Sequence, residues 1–428
     1  MPLDAGVGPA DALDLLLESA TLLFVYGQTT RKVIEATTRF AAAIGFRARV
    51  FPHWDELAVG IDGREGSINW IVEARPTNVD MHRVAATMST IDDVCSGKMD
   101  VAGARSGLKA IAELPGVSTV RFALMAAAGA AALGVIFGEV NLLNIGMIAL
   151  SAAAGGWLRR RLAHISKNVY VQPFCAAMLA GAIGAAADRL QLSSPLHLVA
   201  LCPCMVLVPG PHILNGAIDL SRATLALGTW RLVYAGLIIL MICAGLLLGL
   251  SLGGFTVSVF GPVHPVPFGY DVIAAGVAVA AYGTFFSMPW RTLPIPVGIG
   301  MLAHACRWVV LNFLGASVEV GAFVACLIVG LIVTPIADRR RLPFGAFAFA
   351  SVVSLIPGVY LFRMAGGLVG LVMRGEHSSA DQLLGAVVDG ATAGWIILAM
   401  TFGLLIPKIL LEHFLPSLSD PSGGPADH

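Results

Sequence analysis

From about residue 120 to near the C-terminus, the chain repeats apolar runs of roughly 20 residues, the length a helix needs to cross a hydrocarbon core. Within such a core a backbone must satisfy its own hydrogen bonds, so the runs read as membrane-spanning helices. Ten are legible, at about 120–138, 142–158, 169–187, 196–218, 231–252, 271–288, 294–313, 317–336, 344–371 and 385–407. Composition agrees: 57% of residues are hydrophobic and only 13% charged, against about 25% charged in an ordinary soluble chain. A soluble enzyme, a collagen-like chain and a disordered chain are excluded. So is a nucleic-acid binder, because a net charge of zero leaves no basic excess for phosphates.

The charges are unevenly placed. Of 54, 26 fall in the first 120 residues, 11 basic and 15 acidic. Composition alone therefore sets a boundary near Pro115–Thr119. Before it, residues 11–26 show apolar residues at helical spacing, and Gly27 is a stop. A second helix runs from a Thr29 or Thr30 cap to Ile44, ended by Gly45. Short β-prone runs follow at Arg47–Phe51, Leu57–Ile61 and Ser67–Glu73, with Asp62 and Gly63 as a hairpin signal. Two more helices, Val79–Cys95 and Val101–Leu114, complete an α+β domain. His53, Asp55 and Glu56 lie together and His82 follows Asp80, but these read more simply as solvated turn residues than as a metal or acid–base site. Cys95, Cys175, Cys202, Cys204, Cys243, Cys306 and Cys326 have no paired C-x-x-C spacing, so neither zinc nor disulfides are expected. Met1–Pro9 lacks a basic start followed by an apolar core, so the domain is expected in the cytoplasm.

Cation placement sets the orientation of the spans. With the N-terminus inside, the cytoplasmic side holds Arg121, Arg159, Arg160, Arg161, Lys167, Arg222, Arg231, Arg291, Arg339, Arg340, Arg341 and Lys408. The outer side holds only Arg189 and Arg374. Both termini are then inside.

An internal repeat is visible. Val206–Asn215 resembles Ser354–Arg363, aligning Pro209 and Gly210 with Pro357 and Gly358, 148 residues apart. Ala187-Asp188-Arg189 upstream matches Ala337-Asp338-Arg339, and Ile238–Leu240 downstream matches Ile396–Leu398. Each copy holds five segments, and an odd number forces the second copy into the membrane upside down. Inverted repeats with substrate bound at interrupted helices are typical of secondary transporters. Pro removes a backbone donor and Gly permits non-helical angles, so Pro209-Gly210 and Pro357-Gly358 are expected helix breaks or kinks.

Ionisable groups within spans are functional candidates. Polar groups after the breaks are the candidate substrate contacts: His212 and Asn215 in the first copy, Tyr360 and Arg363 in the second, with His304 and Arg307 on the seventh span. Arg363 is the expected carboxylate anchor because its planar fork grips a carboxylate with two hydrogen bonds. Asp219, Asp389 and Glu319 are the candidates for carrying a coupling proton. No catalytic residue and no metal ligand is assigned. No G-x-S-x-G, H-E-x-x-H or P-loop signature supports an enzyme.

Several features resemble the threonine/serine exporter family over nearly the whole chain. They are the leading amphipathic helix, the Tyr26–Val33 stretch, Ala43-Ile44-Gly45 before the strands, Thr77–Asp80 leading into a helix, and Leu114-Pro115-Gly116 running into the first span. Ten spans and two Pro-Gly breaks fit as well. Members split into two subunits would divide here near Gly261–Gly269. The resemblance implies export of small amino acids such as threonine and serine. A related branch implies dicarboxylate export of the succinate type, and Arg363 would serve either substrate.

The expected architecture is an α-helical integral membrane protein. It has a cytoplasmic α+β domain (1–117), two inverted five-helix repeats (118–262 and 270–411) and a cytoplasmic tail (412–428). The expected function is a secondary-active, proton-coupled exporter in the inner (plasma) membrane, with a dicarboxylate exporter as the alternative and a membrane-bound hydrolase or passive channel behind it. Expected partners are the small-molecule substrate, protons and the lipid bilayer, with a homo-oligomer left open and nucleic acid excluded. No cofactor is expected.

Overall fold

The computed structural model describes residues 8–63, 66–190, 197–252, 266–340, 342–375 and 379–414. Arg341, most of the expected junction at Gly261–Gly269 and the tail beyond 414 lie outside the described residues.

The N-terminal domain begins with α1 (Pro9–Val25) and α2 (Thr30–Ala43). Gly27 (φ +94°) and Gly45 (φ +89°) end them in a conformation that disfavours side chains. Strands β1 (Arg47–Pro52), β2 (Glu56–Gly63) and β3 (Gly66–Glu73) form an antiparallel sheet in chain order, and Val59 lies opposite Val50 and Trp70. Leu57, Val59 and Ile61 bury one face of the central strand in the cluster that holds Leu16, Leu23, Phe24 and Phe40. Then α3 (Met81–Cys95) and α4 (Val101–Ala112) follow, each opened by an aspartate whose side chain caps it, Asp80 on the Arg83 amide and Asp100 on the Gly103 amide. Asp80 is thus a cap residue, and among the described residues no cluster of His, Cys, Asp and Glu could hold a metal ion.

The remainder falls into two halves built in the same order. The first has α5 (Thr119–Ile136), α6 (Leu142–Ile165), α7 (Val171–Arg189), a bent pair α8 (Leu198–Met205) and α9 (Gly210–Ser221), and α10 (Leu225–Leu252). The second has α11 (Phe268–Phe285), α12 (Pro294–Asn312), α13 (Val318–Arg339), a bent pair, and α16 (Ala380–Phe414). Its bent pair is α14 (Phe344–Val352) and α15 (Gly358–Arg374), joined through a 3-10 turn at Val353–Leu355. Among the described residues eight helices are long and apolar enough to cross a membrane, or up to ten segments if each bent pair counts as one span.

Packing partners also correspond. In the first half α5 lies on α6, α6 on α7, α7 on α10 and α9 on α10. In the second, α11 lies on α12, α12 on α13, α13 on α16 and α15 on α16. Across the halves α5 meets α11, α9 meets α14 and α8 meets α15.

In lipid no water drives helices together, so association depends on close backbone approach, which small residues permit. The α7–α10 seam shows this. A Cβ at Gly249 would stand 2.1 Å from the Met178 carbonyl oxygen and one at Gly245 2.2 Å from that of Phe174. In the matching α13–α16 seam a Cβ at Gly403 would meet the Phe323 carbonyl oxygen at 2.8 Å. Gly236, on the same helix as Gly249, faces open space. Gly249→Leu is therefore expected to lower the melting temperature of detergent-purified protein, by overpacking that costs about 1–3 kcal/mol. Gly236→Leu should leave it unchanged. Equal thermal unfolding of the two variants would refute the seam.

Candidate functional site

Both Pro-Gly pairs interrupt a helix. The chain bends by 49° between α8 and α9 and by 66° between α14 and α15. The two breaks repeat the same backbone turn: the Gly210 amide donates to the Val208 carbonyl at 3.0 Å, and the Gly358 amide to the Ile356 carbonyl at 2.8 Å. They also pack reciprocally. A Cβ on Gly210 would strike the Phe349 ring of α14, and one on Gly358 would meet Met205 of α8 at 2.7 Å. Each glycine thus makes room for the other half's broken helix.

A cavity of about 380 Å³ lies between the first break and the N-terminal domain. Pro209, Pro211 and His212 line it from the break, Tyr234 from α10, Tyr282 from α11, and Arg159 and Arg160 from α6. Thr77, Asn78, Asp80 and Arg83 face it from the N-terminal domain. Tyr282 donates to the Met205 carbonyl at 2.8 Å, satisfying an oxygen at the end of the interrupted helix. His212 stands edge-on to Tyr234 with ring centroids 5.1 Å apart, and its Nδ1 has no hydrogen-bond partner. Arg159 lies near Tyr234 and forms no ion pair or hydrogen bond with a described residue. Arg83 is committed elsewhere: it holds Asp80 at 2.9 Å, covers the Tyr26 ring and donates to the Ile111 and Leu114 carbonyls. A neighbouring cavity of about 600 Å³ shares Asp80, Arg83, Gly116, Val117 and Ser287 with the first.

The N-terminal domain is seated on the helices. The Met81 amide donates to the Phe286 carbonyl at 2.8 Å, Lys32 approaches Asp338 at 3.7 Å, and Trp54 packs on Tyr234 at 5.2 Å between ring centroids.

Asn215 joins this contact. Its amide donates to the Gly27 carbonyl at 3.2 Å, while Arg363 donates to Asp389 at 3.0 Å. These two candidate ligands of one substrate therefore have different partners. Tyr360 stands within electrostatic reach of Arg363, Arg307, Glu319 and Asp389. Glu319 lies in the first turn of α13, where a carboxylate is favoured by the helix dipole. His304 is bonded to Asp271 and Ser354, and none of these three lines the cavity.

Four cations counted as loop residues lie in helices instead: Arg159, Arg160 and Arg161 within α6, and Arg231 within α10, fully buried with its Nε 3.0 Å from Asp219. The Phe24 ring of the N-terminal domain lies over it at 5.7 Å. The seated domain is what turns the end of a span into an interior.

Sequence reasoning missed Arg159, Tyr234, Tyr282, Asp271 and Ser354. Arg159 was legible in principle: the 148-residue spacing of the breaks places it on Arg307. Arg307 is within reach of Tyr360, as Arg159 shares its cavity with His212, and His212 and Tyr360 are themselves equivalent.

Two interrupted helices packed against each other, one of them lining a cavity, in a bundle of long apolar helices fit a multi-pass membrane protein of the transporter class. Residues 14–253 match the family model for a threonine/serine exporter, and residues 271–410 match a second, described as Threonine/Serine exporter, ThrE. The chain belongs to the threonine/serine exporter family, a family of amino-acid export transporters. It is also similar to an uncharacterized protein of Haemophilus influenzae, 22% identical over 148 residues, which are 34% of this chain and 48% of that protein. The chain thus spans about half the length of that curated relative. No solved structure matches.

The Asp219–Arg231 pair yields a test. Removing one member of a buried pair leaves an uncompensated charge and costs roughly 3–5 kcal/mol, whereas replacing both by apolar groups is often neutral. Arg231→Met is expected to lower the melting temperature of the purified protein, and the double variant with Asp219→Leu to recover most of it. A double variant as unstable as the single one would contradict the pairing.

Proposed function

We propose that this protein is a secondary-active exporter of threonine, serine and similar small amino acids, driven by protons entering the cell. It sits in the cytoplasmic membrane with both termini inside, and its two halves are inverted copies that alternate in opening. The matched element order, the matched packing partners and the equivalent turns at the two breaks support the inverted reading. The five-segment half then places the second copy upside down.

The observation that carries the substrate reading is Arg159, a guanidinium without an ion pair on the wall of a cavity that faces the N-terminal domain. A half-buried arginine without a carboxylate is costly unless a ligand supplies one. The start of α9 lines the same cavity through Pro211 and His212, adding the positive end of a helix dipole. A zwitterion fits this arrangement: its carboxylate on Arg159, its side-chain hydroxyl on the unpartnered Nδ1 of His212, and its ammonium toward Tyr234 and Asp80. A cavity of about 380 Å³ is at the small end of ligand sites, as such a substrate requires. When the halves exchange roles, Arg307 and Tyr360 take the places of Arg159 and His212. Arg363 then neutralises Asp389 beside them.

Counterflow of labelled threonine, serine and succinate into proteoliposomes tests this directly. The wild type is expected to exchange threonine and serine. Arg159→Gln should lower the rate at least about tenfold at unchanged protein level, since an arginine–carboxylate bond is a strong, charge-assisted one. Arg159→Lys should keep part of it. Arg159→Gln exchanging at the wild-type rate, or exchange of succinate alone, would contradict the proposal.

A further inference from the structure

Three polar side chains from three elements of the second half form one hydrogen-bonded line. Asp271 in the first turn of α11 lies 3.0 Å from Nδ1 of His304 on α12. Nε2 of His304 lies 2.6 Å from the hydroxyl oxygen of Ser354, in the 3-10 turn just before the Pro357 break. All three are buried, with exposures of 3% for Asp271, 0% for His304 and 4% for Ser354. The order is that of an acid–base–nucleophile triad. Yet Ser354 is enclosed by Val352, Val353 and Leu355 of the apolar core, and none of the three lines the cavity described above.

We propose that His304 is the proton-carrying group of the transport cycle and that Ser354 passes its protonation state to the second break. The inference rests on the transport reading above and goes beyond it by naming the coupling site. In the neutral ring, Nδ1–H donates to Asp271 and Nε2 accepts from the Ser354 hydroxyl. When a proton binds Nε2, that atom becomes a donor, the hydrogen bond to Ser354 reverses, and the Ser354 proton must turn to another acceptor. Asp271, 3.0 Å from Nδ1, is the group placed to hold the resulting cation. The change falls three residues before the proline at which the chain bends. Gly300, one turn before His304, allows this approach: a Cβ there would stand 2.9 Å from the Ser351 carbonyl oxygen.

The equivalent positions of the first half do not carry these groups: at the 148-residue spacing Ser354 falls on Val206 and His304 on Gly156. The first break has a histidine of its own, His212, but it lies after the proline and faces the cavity, whereas His304 reaches the second break from a separate helix through Ser354. The charged groups that face the ring are Asp271 on α11 and Arg307, one turn on along the same helix. Tyr360 faces Arg307, and Glu319, Arg363 and Asp389 lie beyond it on α13, α15 and α16.

The test uses full-length protein in proteoliposomes and reads two quantities: threonine counterflow at equal pH on both sides, and threonine accumulation driven by an acid-inside pH gradient. His304→Gln is expected to retain counterflow within about threefold and to lose gradient-driven accumulation. Ser354→Ala, which keeps the histidine and its carboxylate, should retain accumulation with a displaced pH dependence. Gradient-driven accumulation by His304→Gln would overturn the proposal. So would loss of counterflow and accumulation together at normal protein level, which marks a structural histidine, or labelling of Ser354 by a fluorophosphonate, which marks a hydrolase nucleophile. Absence of counterflow in the wild type would overturn the transport reading itself.

Discussion

Everything in the membrane part follows from the cost of an unpaired backbone group in hydrocarbon. A continuous helix avoids it, and most of the chain is continuous helix. At Pro209 and Pro357 the ladder fails, and the structure must satisfy or hide the freed groups. It does so by placing the breaks against each other. Gly210 admits Phe349, Gly358 admits Met205, and the Tyr282 hydroxyl donates to the Met205 carbonyl beside the Val208 amide. The centre of the bundle is therefore made of the two segments least able to exist alone in lipid.

The N-terminal domain extends the same logic. Arg231 and Asp219 could not sit fully buried at the end of a span that opened on water. They are buried because Phe24 and the first two helices close over them. The domain also supplies one wall of the cavity through Thr77–Asp80 and Arg83. Under the proposed function, the space between the domain and the first break is the route a substrate would take, and the domain would form part of it.

Much of this was readable in the sequence, for physical reasons. Helical periodicity, Gly27 and Gly45 give most of the N-terminal domain element by element, because local chemistry decides where those elements start and stop, although the Asp80 cap sets the start of α3 at Met81 and not at the expected Val79. Run length gives the membrane segments, and Pro-Gly gives the breaks. The site was less legible. Arg159 reads as an ordinary cytoplasmic loop cation by charge counting, since only three-dimensional packing turns it toward a cavity. Arg231 reads the same way, and only the seated domain buries it. Asp271 and Ser354 look unremarkable in one dimension, 33 and 50 residues from the histidine that joins them. Asn215 and Arg363 align across the repeat. Their partners differ because one faces the N-terminal domain at Gly27 and the other faces Asp389.

The central claim is that the cavity between the N-terminal domain and the first break is the cytoplasmic approach to the substrate site. Ala163 lines that cavity beyond Arg159 and Arg160. A single cysteine at Ala163, in an otherwise cysteine-free protein, can be offered a membrane-impermeant maleimide from either side of sealed vesicles. The account predicts labelling from the cytoplasmic side only, slowed by threonine and not by succinate. Labelling from the outer side, or labelling indifferent to threonine, would contradict it.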